Sequence, residues 1–380
     1  MSMTEKAKSV SLVAVGDVAI NRDDPQSALA LARPIFETAD VTFANCESTY
    51  ARNWSANPAA RGVVRSDPEQ LGGLSWAGVD VVSFANNHHL DAGYEGFFET
   101  LEHLAGHDIA VCGAGKDLAA ARTPAIVERG GVKIAFLAYS SILWPGYEAG
   151  QGKAGCAPIF VDTHYEMEEP EQPGCDAKVT TRVRAGTLTM LREDVATARR
   201  EADVVVVSAH WGIHFKPVVL ADYESEFGRA AIDAGADLVL GTHQHILKAV
   251  EVYRGKVIFH GTGNFVMDVD LAPYRDSAGV KKMREHFGEF GLQYYPDYPI
   301  YPFHPDARNT VIVRAEIEDG RVGKVSMVPC LINGDGQPEP LDGDDPRFKT
   351  VCDYQIDVTR KAGFDTGLLV RNGELVVDLA

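Results

Sequence analysis

The sequence predicts an α/β protein whose central strands are buried and parallel. One observation behind this prediction is a set of five apolar runs, which are typical of strands covered on both faces. A second observation is that segments with helical spacing separate most of these runs. A third is that each run ends in a short polar stretch, as expected where open α/β sheets bind ligands. The five runs read SLVAV, DVTFA, VDVVSFA, DVVVVSA and DLVLG.

The first third of the chain alternates strand and helix. Asp67 followed by Pro68 predicts a helix start, because proline is favoured in the first turn. Tyr94, Phe97 and Leu101 share one helical face. The predicted order is strand 10–15, helix 25–38, strand 41–44, a helix from 67, strand 79–85, helix 93–104, strand 109–112, and a hairpin of 125–127 with 133–139.

The remaining chain continues this pattern with two interruptions. Residues 142–187 and 268–309 lack periodicity and are predicted to be excursions from the main domain. We predict one domain over residues 9–330 and a small C-terminal appendage over 331–380 that packs on it. The predicted elements are helix 187–201, strand 204–208, helix 223–234, strand 238–241, a hairpin of 250–253 with 257–259, strands 311–317 and 322–330, and a helix with two short strands within 346–380.

Composition limits the classes of partner and the compartment. The chain has 380 residues and a net charge of −18, which argues against nucleic acid or an anionic membrane as partner. It contains no apolar run long enough to predict a membrane span. Residues 1–10 are polar and lack the apolar core of a signal peptide, and the six cysteines are scattered. We therefore expect a cytoplasmic protein with reduced thiols; the oligomeric state stays open.

The polar stretches after the five runs predict one converging metal site. Any one of them has an ordinary explanation, since Asp is a frequent helix N-cap and a single His is often a structural residue. Asp, Glu, Asn and His at five equivalent strand ends are typical of metal ligands. Cys46 is better explained as a small buried residue than as a nucleophile. The stretches are Gly16-Asp17, Asn45-Cys46-Glu47, residues 86–91 (NNHHLD), residues 209–212 (AHWG) and residues 241–245 (GTHQH).

These motifs resemble the CapA-like family of poly-γ-glutamate capsule synthesis, within the calcineurin-like metallophosphoesterase superfamily. The resemblance covers roughly residues 9–330. It implies a β-sandwich flanked by helices, with a metal site in the loops at the carboxyl ends of the strands. The matching pieces are Gly16-Asp17, Asn45-x-Glu47, Asn86-Asn87-His88-x-x-Asp91-x-Gly93, His210-Trp211-Gly212 and Gly241-x-His243-x-His245.

The resemblance also implies one or two bound divalent cations. The superfamily's first motif is Asp-x-His, but Ala19 stands where that histidine is expected. Glu47 stands where a bridging Asp is expected. Donors rich in carboxylate and amide oxygen favour Ca²⁺, Mg²⁺ or Mn²⁺. The two implied ligand sets, which share Glu47, are Asn87, His210 and His243 for one cation, and Asp17 with His245 for the other.

The candidate acid–base residues are histidines. His88 resembles the superfamily's catalytic histidine, and Asp91 is its candidate carboxylate partner, although Asp91 could instead cap the following helix. His210, His214 and His260 are candidates for a second catalytic imidazole, with a surface position for His214 and a core position for His260 as the alternatives. His89 is expected to be exposed or structural, Asp268 to orient a histidine, and His304 to lie over the site.

Four functions remain open from the sequence. Our main interpretation is a metal-dependent peptide epimerase of peptide natural-product maturation, because the missing Asp-x-His weakens a two-metal clamp and a lasso-peptide epimerase also resembles this family. Epimerisation needs an acid and a base on opposite faces of Cα. The alternatives are synthesis or hydrolysis of poly-γ-glutamate, phosphoester hydrolysis, and a non-enzymatic metal scaffold. The expected substrate is a peptide or polyglutamate; for the latter, Lys281, Lys282 and Arg284 are candidate contacts, unless they form a solvated helix face.

Overall fold

Two β-sheets face each other across an apolar core in the computed structural model, which describes residues 9–379. Phe43 of one sheet stacks on Phe136 of the other with ring centroids 5.3 Å apart. Further apolar layers lie on the outer faces of both sheets, beneath the helices. The predicted α/β class and the helix-flanked sandwich implied by the resemblance are therefore confirmed.

The strands follow the predicted order, with several short additions. Their bounds are β1 Ser9–Ala19, β2 Val41–Cys46, β3 Thr49–Tyr50, β4 Arg65–Ser66, β5 Val81–Ser83, β6 Ala110–Cys112, β7 Ala114–Gly115, β8 Ala125–Arg129, β9 Val132–Ser140, β10 Gly155–Cys156, β11 Val161–Met167, β12 Ala177–Val183, β13 Val204–His210, β14 Leu238–Thr242, β15 Val250–Tyr253, β16 Lys256–Phe259, β17 Asn264–Met267, β18 Asn309–Glu318, β19 Arg321–Ile332, β20 Pro338–Pro340, β21 Leu368–Arg371 and β22 Glu374–Val377.

The helices lie outside the sheets and, along the sequence, connect strands. Short 3₁₀ turns occupy Pro25–Leu29, Pro68–Leu71, Ala272–Tyr274, Gly288–Phe290 and Pro305–Arg308. Within residues 9–379, no helix is long and apolar enough to cross a membrane. The α-helices are α1 Arg33–Phe36, α2 Gly72–Ala77, α3 Gly93–Gly106, α4 Leu118–Ala121, α5 Ala185–Glu201, α6 Asp222–Ala234, α7 Ala278–Phe287 and α8 Pro346–Lys361.

Parallel strands form the centre of both sheets. The first sheet runs β21-β22-β19-β18-β1-β2-β5-β6, with β17 also paired to β1 and β20 to β19. Its β1, β2, β5 and β6 are parallel, as are β9, β13, β14 and β16 of the second sheet, β15-β16-β14-β13-β9-β8. Parallel strands end at one edge of a sheet, so the loops after them gather together. The C-terminal hairpin β21–β22 pairs with β19 and extends the first sheet.

Several segments differ from the sequence prediction, among them the excursion 268–309, which contains α7. The predicted helix 25–38 is a 3₁₀ turn and the separate α1, because Pro34 has no N–H to continue a helix and instead occupies the first turn of α1. The helix predicted from residue 67 likewise begins as a 3₁₀ turn before α2. The excursion 142–187 contains the hairpin β11–β12, most of whose side chains are exposed and which shows no apolar alternation. Residues 1–8 of the polar amino terminus lie outside the described residues.

Candidate metal centre

The ends of five strands place the candidate ligands together. Asp17 lies near the end of β1, Glu47 follows β2, and Asn87 lies in the loop after β5. His210 is the last residue of β13, and His243 follows β14. Strand register puts Asp17 beside Asn45 in the first sheet and His210 beside Thr242 in the second. Parallel pairing of these strands thus brings residues that are distant in sequence to the same edge of the sheets.

Two groups of these side chains have the geometry to hold a cation. Glu47, His210 and His243 form one group, and Asp17, Glu47 and His245 form the other, with the ligand atoms of each group within 4.8 Å of one another. Asn87 extends the first group, since its Oδ1 lies 2.6 Å from His210 Nε2. Glu47 belongs to both groups, which is the position of a carboxylate bridging two cations.

Unpaired buried atoms in these groups fit a positively charged ligand. Glu47 is fully buried, yet neither of its carboxylate oxygens has a hydrogen-bond partner within the described structure. The closest imidazole nitrogen, His210 Nε2, lies 3.4 Å from Oε1. His243 Nδ1 is also buried, with no hydrogen-bond partner in the described part of the chain. Burial raises the pKa of both Asp17 and Glu47. An unpaired buried carboxylate is strongly unfavourable, and a divalent cation would compensate it.

Neighbouring polar groups orient the candidate ligands. Asn45 Nδ2 donates to Asp17 Oδ1 at 2.8 Å, and the backbone N–H of His243 donates to Oδ2 at 3.2 Å. Thr242 Oγ1 lies 3.0 Å from His210 Nδ1, and Asn264 Oδ1 lies 2.7 Å from His245 Nδ1. Such contacts fix the tautomer and direction of a ligating imidazole. Sequence reasoning gave no role to Asn45, Thr242 or Asn264, although Asn45 and Thr242 lie inside the polar stretches.

The loop after β14 is strained where it carries its two imidazoles. His243 and His245 have φ of 96° and 57°, a region that side-chain-bearing residues rarely adopt. Strain of this kind persists only where the surroundings hold it, and it concentrates at functional sites. Ala19, which replaces the expected histidine, packs in an apolar group with Phe215 and Tyr301. On the Asp17 side, His245 is the candidate imidazole, since its ligand atom lies within 4.8 Å of those of Asp17 and Glu47.

His88 and Asp91 form an oriented pair beside the two groups. His88 Nδ1 lies 2.6 Å from Asp91 Oδ2, which also accepts from the backbone N–H of Val64 at 2.8 Å. The Tyr147 hydroxyl donates to Asp91 Oδ1 at 2.8 Å. Burial alone would lower the pKa of His88, but Asp91 and the nearby Glu47 raise it above its ordinary value. The alternative that Asp91 caps α3 is wrong, because the N-cap is Ala92 without a side-chain hydrogen bond.

His214 lies against the imidazoles of the centre. Its ring centroid is 3.8 Å from that of His243 and 5.1 Å from that of His245. Its Nε2 is buried without a hydrogen-bond partner within the described residues, and burial lowers its pKa. Phe287 of α7 contacts the same ring edge-on, so the second excursion covers this side of the centre.

His260 lies in a different group, which corrects the expectation that it faces the site. Side chains alternate along a strand, and because Phe259 points between the sheets, His260 points outward. There its Nε2 lies 3.0 Å from Glu251 Oε2, and its ring stacks on Trp211 and Phe364.

Three further sequence expectations are resolved by contacts. His89 is buried, with ring nitrogens 2.6 Å and 3.0 Å from the carbonyl oxygens of Asn86 and Tyr147, which is a structural role. Asp268 pairs with Arg22 rather than orienting a histidine. His304 caps a 3₁₀ turn and stacks on Phe290, so its contacts lie outside the two metal groups.

Comparison with known proteins agrees with the resemblance. The family model described as bacterial capsule synthesis protein PGA_cap matches residues 11–269, more than half of the chain. "PGA biosynthesis protein CapA" of Bacillus subtilis is 29% identical over 279 residues, covering 70% of this chain and 66% of the relative. "Probable polyglutamine synthesis accessory protein Rv0574c" of Mycobacterium tuberculosis is 31% identical over 235 residues, covering 61% of this chain and 56% of the relative.

The chain thus spans less than two thirds of the length of either relative. A solved structure of the calcineurin-like phosphoesterase YfkN from Bacillus subtilis aligns with 94% of this chain and 98% of its own, at 14% identity and a TM-score of 0.43. That level of similarity gives no information on activity. The match of the family model to residues 11–269 identifies the chain as a member of the bacterial capsule synthesis protein family PGA_cap.

Proposed function

We propose that this protein is a metal-dependent hydrolase that cleaves amide bonds in a chain of γ-linked glutamate residues. The observation that carries the proposal is the buried carboxylate of Glu47, which has no hydrogen-bond donor among residues 9–379 and is shared by two groups of candidate ligands. A shared carboxylate between two cations is typical of hydrolytic two-metal sites. His245 compensates for the missing Asp-x-His histidine, which removes the main argument against such a site.

The substrate class is taken from the relatives. Their names associate them with the biosynthesis of PGA and with polyglutamine synthesis. A protein of a polymer-synthesis system that holds a hydrolytic centre is suited to cutting or trimming the polymer. The bond attacked would be the amide between one residue's side-chain carbonyl and the next residue's nitrogen.

Different side chains would bind the cations and transfer the proton. Asp17, Glu47, His245, Asn87, His210 and His243 would hold divalent cations, with Mn²⁺ the best match to mixed carboxylate and imidazole donors. Such cations supply Lewis-acid polarisation and positive charge opposite a developing oxyanion. His88, oriented by Asp91, donates its proton to the leaving nitrogen as the C–N bond breaks. Water supplies the oxygen of the new carboxylate, and a proton released from that water restores the protonated form of His88; the other product is a free amine.

The epimerase interpretation has less support from the geometry. Epimerisation needs an acid and a base on opposite faces of Cα, and the hypothesis from the sequence assigns both roles to imidazoles that are each oriented by a carboxylate. Of the three candidates for the second imidazole, His260 pairs with Glu251 outside the centre and His210 belongs to a metal group. His214 has no carboxylate partner within the described residues. His88–Asp91 is the pair whose imidazole interacts electrostatically with Glu47 and Asp17 of the metal groups, and one pair suffices for hydrolysis.

Amine release from a defined oligomer tests the proposal. The purified protein is incubated with γ-linked tetraglutamate and Mn²⁺, and new amino groups are measured with fluorescamine. We expect amine release that EDTA abolishes and that His88→Asn lowers about 100- to 10,000-fold.

Two parallel assays distinguish the other reactions. A phosphate ester such as p-nitrophenyl phosphate replaces the oligomer in one, and D₂O replaces water in the other to detect exchange at Cα. Phosphate release or deuterium incorporation without amine release would contradict the proposed hydrolysis of amides.

A further inference from the structure

A cavity of about 720 Å³ lies beside the metal centre. Trp144 and Phe160 form its aromatic walls, and Ser141, Thr163, Thr181 and Tyr223 line it with hydroxyl groups. Its size lies within the range of sites that bind small organic ligands. Aromatic walls with a few hydroxyl groups are suited to an extended chain that carries both methylene and polar groups.

Hydrogen bonds connect residues that line this cavity to the segment around His210 in the candidate metal centre. The N–H of Ser141 donates to the carbonyl oxygen of His210 at 2.9 Å, and the hydroxyl of Tyr223 accepts from the N–H of Gly212 at 2.6 Å. On the other side, Tyr147 follows the lining residue Gly146 and holds Asp91. The cavity therefore lies between the strand end that carries His210 and the segment that orients His88.

Two arginines stack on the aromatic walls, and one of them carries an unpaired charge. The guanidinium of Arg184 lies over Phe160 and pairs with Asp162, and the lining residue Glu148 pairs with Lys153. The guanidinium of Arg61 lies 4.8 Å from the centroid of Trp144. Arg61 is exposed, and no carboxylate pairs with it among residues 9–379.

A guanidinium stacked by its face keeps its N–H edge free for a carboxylate. The charged residues Glu148 and Arg184 at the cavity are paired with Lys153 and Asp162, whereas Arg61, over the wall residue Trp144, has no carboxylate partner among residues 9–379. The charge of this guanidinium is complementary to a carboxylate of an anionic chain.

We propose that the cavity lined by Trp144 and Phe160 binds a carboxylate-bearing segment of the substrate chain, and that Arg61 selects for the carboxylate. The inference rests on the proposed function, because it takes the cavity as the subsite next to the bond that is cleaved. Trp144 holds the guanidinium in place and contacts the methylene groups of the chain.

Equilibrium binding tests this inference independently of turnover. The probes are a dansylated γ-linked tetraglutamate and its analogue with the free carboxylates converted to carboxamides, measured by fluorescence anisotropy. The full chain carries Glu47→Gln so that hydrolysis does not interfere. We expect the acidic probe to bind about tenfold more tightly than the carboxamide, in line with one charge-assisted pair at an exposed site.

Substitutions of Arg61 identify the source of that preference. Arg61→Met is expected to abolish the preference, and Arg61→Lys to retain part of it, because lysine keeps the charge but lacks the planar fork. Arg371→Met is the matched control, since Arg371 is an exposed arginine on the edge hairpin β21–β22. Binding by Arg61→Met that equals binding by Arg371→Met would overturn the inference, as would equal affinity of the unsubstituted cavity for the two probes.

The two proposals can be contradicted independently of each other. Amine release by the wild-type protein, together with unchanged probe binding by Arg61→Met, overturns the role of the cavity and leaves the proposed hydrolysis in place. The expected binding pattern without any amine release supports the carboxylate subsite and contradicts the hydrolysis.

Discussion

Two buried carboxylates in this protein have opposite surroundings. Asp194, on α5, accepts from Arg122 Nε at 3.0 Å through both oxygens and from the Tyr139 hydroxyl at 2.8 Å. Glu47 is more deeply buried and has no hydrogen-bond partner within the described residues. A buried charge is tolerated when donors surround it and is costly when none do. The charge of Asp194 is therefore compensated within the protein, whereas compensation of the charge of Glu47 would need a bound cation.

The largest expected effect concerns the response of Glu47→Gln to metal. Because the carboxylate lacks donors, we expect metal-free Glu47→Gln to unfold at no lower temperature than the metal-free wild type. Saturating Mn²⁺ stabilises the wild type by about 4 kcal/mol at 1,000 times its Kd, and we expect the variant to lose this gain. Thermal unfolding with and without Mn²⁺ measures both. A variant that is less stable without metal and still responds to Mn²⁺ would contradict the interpretation of Glu47.

His88 and Asp91 are expected to affect rate without affecting metal binding. His88→Asn removes the proton donor, so we expect kcat for amine release to fall about 1,000-fold, while the Mn²⁺-dependent rise in unfolding temperature persists. His103→Gln is the matched control, because His103 is a partly exposed histidine paired with Glu99 on α3. Loss of the Mn²⁺ response in His88→Asn would place His88 among the ligands instead.

Lys248 provides a third kind of buried charge, held by carbonyl oxygens of Lys216 and Val219. Burial lowers its pKa to about 8. Between that pH and the unfolded value near 10.4, the unfolded chain binds more protons, so the free energy of unfolding rises with pH. Below pH 8 both states are protonated, and the cost of burial is fully present.

We therefore expect the wild type to gain about 3 kcal/mol relative to Lys248→Met between pH 8 and pH 10.5. Urea unfolding of both proteins across this range measures the difference, in which contributions of other groups cancel. Parallel curves for the two proteins would show that the ammonium is already solvated in the folded state.

The smallest expected effect is that of Asp194→Asn, which tests whether the charge of Asp194 is compensated without a cation. It removes a charged acceptor from Arg122 and Tyr139, so we expect a loss of about 2 kcal/mol in the free energy of unfolding. The loss is expected to be the same with and without Mn²⁺. A metal-dependent loss would mean that the Asp194 group is coupled to the metal centre.

The sequence predicts the positions of strands and ligands better than it predicts the contacts between loops. Asp17, Glu47 and His210 follow apolar strands, and parallel pairing alone brings such strand ends together. His260 directly follows β16, but the alternation of side chains along that strand points it away from the space between the sheets. Tyr147 and Arg61 lie in loops without periodicity, so nothing in the local pattern predicts that they contact Asp91 and Trp144.

The number of divalent cations bound per chain tests the shared role of Glu47 most directly. The wild type and Glu47→Gln are saturated with Mn²⁺, separated from free metal by gel filtration, and measured by inductively coupled plasma mass spectrometry. Because Glu47 belongs to both ligand groups, we expect two cations per wild-type chain and loss of both in Glu47→Gln. Fewer than two in the wild type, or two in Glu47→Gln, would contradict a carboxylate shared between two cations.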